Sequence, residues 1–144
     1  ELRVRFSGHQ AGVVAAIREL GGTEDVDGEK FWTALREQAM PYFTVADVLW
    51  RIVVPAATRP LEIEGESLID WGGGQRWLTG DRDESLLRAM VESVGGYVTK
   101  FRGGNRTNMI YHPLTPEVAI LHRSLKYAFD PGGILNPGRL YYEI

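Results

Sequence analysis

Two stretches of this chain follow one plan, and that plan narrows the possible folds more than any other feature. Leu2-Arg3-Val4-Arg5-Phe6 alternates apolar and charged residues, the period-2 mark of a half-buried strand. A helix pattern over Val13–Leu20 follows, with Ser7 and Gln10 spaced as a capping box and Gly21-Gly22 as its stop. Thr23–Val26 then reads as a short strand. The same order returns further on: a strand at Gln75–Leu78, a helix capped by Asp81 with Glu84 at the box position, Gly95-Gly96, and a strand at Tyr97–Phe101. Leu86, Leu87, Met90, Val91 and Val94 form the apolar stripe of that helix. Two such units predict an α+β fold of ferredoxin-like type, an antiparallel sheet with helices on one face. The other face is then free to cover a ligand or a second domain.

The rest of the chain fits around these units. Glu29–Met40 reads as a helix with Phe31, Leu35 and Ala39 on one side, closed by Pro41. Asp47–Val54 is the clearest strand, ended by Pro55. Ala56–Glu66, with Pro60 and three glutamates, reads as a connection or edge segment. Ser67–Asp70 and Gln75–Leu78 flank Trp71-Gly72-Gly73-Gly74 as strand, glycine kink, strand. Asn105–Pro113 is loop-like. Thr115-Pro116-Glu117 opens the last helix with a cap, a first-turn proline and an acidic residue on the helix dipole. Ile120, Leu121, Leu125 and Phe129 are its expected buried face.

Several classes of function are disfavoured. A net charge of −3 without a basic run argues against nucleic acid as a partner. No apolar run is long enough to span a bilayer. With no cysteine, the chain offers no disulfide, no thiolate metal site and no iron–sulfur ligand. His9, His112 and His122 are scattered, without the spacing of a metal site. There is no GxSxG elbow, GxGxxG fingerprint or P-loop.

Four stretches remain that could carry chemistry. In Leu49-Trp50-Arg51-Ile52-Val53-Val54 a guanidinium sits in an apolar strand, where it needs an anion or carboxylate. In Asp70-Trp71-Gly72-Gly73-Gly74-Gln75-Arg76-Trp77, glycines admit close backbone approach. Trp, Gln and Arg there can stack on or hydrogen-bond to a planar polar ring. Phe101-Arg102-Gly103-Gly104-Asn105-Arg106 is a strand end turning on glycine. Phe129-Asp130-Pro131-Gly132-Gly133-Ile134-Leu135-Asn136-Pro137-Gly138-Arg139 sets one amide and one guanidinium in a stiff frame of prolines and glycines. Each has a structural reading too: Arg51 paired with Asp70, a β-bulge at the Trp–Gly kink, a helix stop and surface tail at the end.

In order and wording these stretches resemble the FAD-binding E subunit of bacterial glycolate oxidase, within the vanillyl-alcohol oxidase / p-cresol methylhydroxylase superfamily of FAD-linked oxidases. The Trp-Gly-Gly stretch points to the subgroup; the C-terminal Asn-Pro-Gly-Arg marks only the superfamily. The resemblance implies that residues 1–144 are a C-terminal cap or substrate domain, with an FAD-binding domain upstream of Glu1. It implies FAD as cofactor of the longer subunit, not retained by this part alone, and oxidation of a 2-hydroxy acid, glycolate to glyoxylate. Asn136, Arg139, Gln75, Arg76 and Trp71 are the residues expected near the flavin; Arg51 and Arg102 are expected on the substrate side. Implied partners are the subunit's own FAD domain and other glycolate oxidase subunits, one of them an iron–sulfur protein. The implied place is cytoplasmic, peripheral at the inner membrane through the complex. The histidine-rich metal motif of the related D subunit is missing, and His112 stands alone. Two further readings stay open: a non-catalytic ferredoxin-like subunit-interaction domain, and a small-ligand regulatory domain. An isolated cap is expected to expose an apolar, Trp-containing patch that drives self-association.

Overall fold

The run Val48–Val54 folds as expected into a central strand, β1 (Leu49–Val53), and the sheet is built around it. In this computed structural model residues 1–105 and 109–144 are described; Arg106 lies outside them. The chain divides into two compact units, Glu1–Ala39 and Met40–Ile144.

The larger unit holds β1, β2 (Ser67–Asp70), β3 (Gln75–Thr79) and β4 (Tyr97–Arg102) in one antiparallel sheet of order β2-β3-β1-β4. β1 pairs with β3 on one side and β4 on the other, so β3 and β4 run parallel with β1 between them. The helix Glu84–Ser93 makes that crossover. Read from the other edge, this is the ferredoxin-like strand order. The departure is at β1-to-β2: residues 54–66 cross without a helix. Pro55 and Pro60 forbid one, and the stretch is irregular.

One face of the sheet carries the core. Trp50, Ile52, Leu78 and Val98 pack with Val48, Val54, Leu87 and Val91, all buried; Leu61 and Ile63 of the helix-free crossover close one side. The Glu84–Ser93 helix starts two residues later than the Asp81 box predicts: Asp83 is the cap, its carboxylate accepting from the Leu86 amide at 3.0 Å. This turns Leu86 outward and puts Arg88 inside with Leu87 and Val91. Arg88 is tolerated there because Glu84 meets it at 2.6 Å and Lys100 at 2.8 Å. Glycine is required at 103. Its φ is +70°, and a Cβ there would stand 1.7 Å from the Asp47 carbonyl oxygen. Gly103→Ala is therefore expected to cost about 2 kcal/mol through strain and backbone displacement, read as a lower urea midpoint. An unchanged midpoint would contradict the packing described.

The smaller unit departs furthest from expectation. Leu2–Phe6 and Thr23–Val26 form no strand, so the first strand–helix–strand unit is absent as such. In its place Arg3 pairs with Asp25 at 2.5 Å and lies over the Phe31 ring, and Arg5 lies over Trp32. The charged side of the period-2 run is turned onto aromatics, which leaves Leu2 and Val4 exposed. The first helix runs Gln10–Leu20, capped not by Ser7 but by His9, whose Nδ1 accepts from the Ala11 amide at 3.3 Å. Gly21 ends it in the left-handed region, as read. The next helix is Gly28–Arg36, shorter than Glu29–Met40. Pro41 opens a four-residue helical turn, Pro41–Thr44, rather than closing one.

Candidate functional site

The second face of the sheet is where chemistry-bearing residues converge. Strand alternation places Arg51 on it, with Trp77 of β3 and Thr99 of β4 directly opposite in register. Gln75 lies one pleat along, opposite Val53. The face is partly covered, not free. Phe43 lays its ring edge-on to Trp77 at 5.4 Å, and Trp77 meets Phe101 edge-on at 5.0 Å. The Tyr42 hydroxyl fixes this corner by donating to the Trp77 carbonyl at 2.8 Å.

Arg51 is half-buried in the middle of this face, and its Nε is fully buried without a hydrogen-bond partner. The contact shown for its guanidinium is the Phe101 ring, 5.8 Å from Cζ to the centroid. Among the described residues no carboxylate pairs with it, and Asp70 does not fill that role: its Oδ1 caps the Trp71 amide at 2.7 Å. A partly desolvated planar cation with free donors is chemically suited to a carboxylate, which its fork can meet at two points.

Arg76 and Arg102, by contrast, are occupied. Arg76 is buried on the opposite face from Gln75, beside Ile52, and donates to the carbonyls of Thr58 and Arg59. Period-2 alternation therefore prevents Gln75 and Arg76 from sharing one ligand, as the sequence reading had placed them. Arg102 donates to the Phe43 and Ala46 carbonyls and holds the segment before β1. The Trp–Gly kink is a 3-10 turn, Trp71–Gly73, not a β-bulge. Trp71 stands at its tip, 67% exposed, at φ +52°. Gly73 lets the turn touch the crossover: a Cβ there would lie 2.5 Å from the Ala56 carbonyl oxygen.

The second arrangement follows the last helix, Pro116–Phe129, which is capped by Thr115 as expected. Its apolar stripe is a correction. Ile120, Leu121, Leu125 and Phe129 are exposed, and no residue of the helix is buried. Beyond it the chain is organised by Asp130. Its Oδ1 accepts from the Ile134 amide at 3.1 Å and its Oδ2 from the Leu135 amide at 2.9 Å, while Lys126 stands 2.8 Å from Oδ2. Lys126 first, then the Leu135 amide, hold this carboxyl at about 2, below its ordinary value. The stability it contributes is present above the ordinary carboxylate range and is lost as pH falls through about 2. Asn136 follows at φ +46°, exposed, with its carbonyl accepting from the Arg139 amide at 3.3 Å. Arg139 is also exposed.

Sequence reasoning missed the Trp77, Thr99 and Phe101 flanks of Arg51. Only strand register reveals them, although the alternation within each strand was there to be used. His112, which stands alone in the sequence, has its Nδ1 buried without a partner. Burial first, then the Arg88 charge, lowers its pKa.

Comparison with known proteins adds one similarity. The chain is similar to the glycolate oxidase subunit GlcE of Escherichia coli (strain K12). Identity is 39% over 143 residues, covering 99% of this chain and 39% of GlcE. The chain thus spans about two fifths of the length of that relative. The similarity to GlcE runs through both compact units and all four stretches singled out above. No family model matches the chain, and no solved structure does. No helix among the described residues is long and apolar enough to cross a membrane.

Proposed function

We propose that this chain is the C-terminal cap part of a flavin-dependent 2-hydroxy-acid oxidoreductase subunit of the glycolate oxidase type. Similarity to GlcE over 99% of this chain supports the subunit type. The observation that carries the substrate side is the unpaired, half-buried Arg51 guanidinium on a sheet face. A 2-hydroxy acid brings the carboxylate that this cation lacks.

FAD is the implied cofactor, and the residues fit it in part. Arg51, the exposed Trp71 and the exposed Asn136 offer donors and a flat face to a planar polar ring, whereas Gln75 is 4% exposed and closed off from one. Arg139, exposed in the same turn, offers a cation. Arg76 and Arg102 do not fit, since backbone carbonyls occupy them. A bound flavin would supply the acceptor for a hydride leaving the substrate carbon. What the chain supplies is position and exclusion. Arg51 holds the substrate carboxylate, Trp77 and Phe101 keep the neighbourhood dry, and Asn136 donates or accepts at the ring edge. The FAD-binding domain, an iron–sulfur partner subunit and a cytoplasmic place at the inner membrane belong to the same reading.

A second reading is a non-catalytic subunit-interaction domain. The exposed Ile120, Leu121, Leu125 and Phe129 favour it, because a contiguous apolar helix face in water marks a surface that is covered in an assembly. The test is a visible absorption spectrum of a subunit extended to the length of GlcE, beside that of this chain alone. Flavin absorption in the longer protein that bleaches with glycolate supports the oxidoreductase. In that protein Asn136→Ala is expected to lower flavin content or shift its absorption maxima. A flavin-free extended subunit leaves the interaction domain as the better account.

A further inference from the structure

We infer that Asp130 is a positioning residue, whose carboxylate sets the backbone of the turn that presents Asn136. The inference rests on the reading that Asn136 meets the flavin. Three observations carry it.

First, Asp130 is 7% exposed, while residues 131–140 that follow it are all exposed. A carboxylate is withdrawn from water in a stretch that otherwise stays in it. Such a group is stable only when its oxygens are bonded, and here both are: to two successive amides and to the Lys126 ammonium. Second, a helix stop does not need this much. Pro131 already forbids continuation, and the Asp130 amide closes the last turn onto the Lys126 carbonyl at 2.7 Å. The side-chain bonds act further on, at residues 134 and 135, the two that precede Asn136. Lys126 adds a bond to the Leu135 carbonyl, so the peptide groups on either side of Leu135 are both held. Third, Asn136 occupies the left-handed region at φ +46°, a conformation that costs a non-glycine residue about 1 kcal/mol. It persists where the flanking backbone is fixed, and Asp130 on one side and the Arg139 amide on the other fix it.

An amide that must meet a ring edge within a few tenths of an ångström needs such a frame. Asp130 touches neither ligand nor substrate in this account and acts through Asn136.

The experiment compares Asp130→Asn, Lys126→Met and Asn136→Ala in the subunit extended to the length of GlcE, reading flavin content, visible spectrum and melting temperature. Asp130→Asn leaves one oxygen to accept and sets an NH2 group against the other amide. It is expected to reproduce the spectral shift or the flavin loss of Asn136→Ala, with flavin content reduced to roughly half or less. Lys126→Met keeps both amide bonds and is expected to retain most of the flavin. Melting temperature should stay close to the parent in Asn136→Ala and fall modestly in the Asp130 and Lys126 variants, which give up stability that the carboxylate supplies at neutral pH; the flavin spectrum is the readout that a merely stabilising role would leave unmoved. If Asp130→Asn does not fold, Asp130→Glu takes its place: it keeps the charge, displaces both oxygens by about one bond length, and is expected to give the same spectral change. An altered flavin in Asn136→Ala beside an unaltered one in the Asp130 variant overturns the inference and leaves the flavin reading standing. Unaltered flavin in all of them overturns both.

Discussion

On the function proposed above, replacing Arg51 by methionine is expected to reduce glycolate-driven flavin reduction about 100- to 1000-fold, in a subunit extended to the length of GlcE, without lowering its stability. The two halves of that expectation have one physical cause. In the folded chain the Arg51 Nε is buried without a partner, and among the described residues no carboxylate balances the charge. Removing such a group costs the fold little, and methionine fills the same space with an apolar stem. Its melting temperature should match the parent or exceed it. The substrate feels the opposite. Losing a charged, two-point contact to a desolvated carboxylate is worth about 3–4 kcal/mol, which is the stated range of rate. Arg51→Lys keeps the charge without the fork and should recover part of the loss. A paired measurement of kcat/KM and melting temperature checks this. Activity within threefold of the parent would remove Arg51 from the substrate side. Activity lost together with a large drop in melting temperature would show Arg51 to be a structural residue.

Glu84→Ala is expected to have the largest effect on folding. Glu84 is the shared partner of two nearly buried cations, Arg88 and Lys100, whose side chains are 10% and 7% exposed. Its removal strands both charges inside the protein, a change that typically costs 3–5 kcal/mol. Arg88 also donates to the Val98 and Met109 carbonyls, and Lys100 to the Asn105 carbonyl, so the loss spreads to the strand and loop they hold. Burial pushes the Glu84 carboxyl up, but bonds from Lys100 and Arg88 outweigh it and hold the group below the ordinary value. Its stabilisation is therefore complete at neutral pH and fades as pH falls through that lowered value. Urea unfolding at pH 7 and pH 4 would show this. Glu84→Ala should bring the two midpoints closer together than they are in the parent, and equal midpoints for parent and variant at pH 7 would refute the role.

Much of the larger unit was legible because its signals are local. Leu49–Val53 announced itself by an apolar run before Pro55, Trp71–Gly73 by its glycines, and Pro116–Phe129 by its cap and proline. The errors share a cause: patterns that need a partner. Leu2–Phe6 has the alternation of a strand, but alternation does not supply a neighbour, and aromatic rings at Phe31 and Trp32 took its arginines instead. The stripe at Ile120, Leu121, Leu125 and Phe129 is amphipathic as read, yet it faces water, because periodicity shows which side is apolar and not what lies against it. At the candidate site Arg51 stood out by its chemistry alone, as a guanidinium in an apolar strand. Gln75 and Arg76 were placed together because they are adjacent in sequence, when adjacency in a strand means opposite faces. Arg102 was misjudged because backbone carbonyls, its real partners, leave no trace in side-chain wording.

The helix-free crossover between β1 and β2 has a kinetic consequence. A helix there would carry its own ladder of hydrogen bonds and open as a unit. Residues 54–66 have no such ladder; they are tied to the sheet by the packing of Val54, Leu61 and Ile63 on the core and by the two carbonyls held by Arg76. Local opening of the larger unit should begin at this strap and release the β2 edge with it. The amides of β1, flanked on both sides, would exchange with solvent only through global unfolding. Arg76 then acts as a rivet: its bonds to the Thr58 and Arg59 carbonyls hold the strap against each excursion.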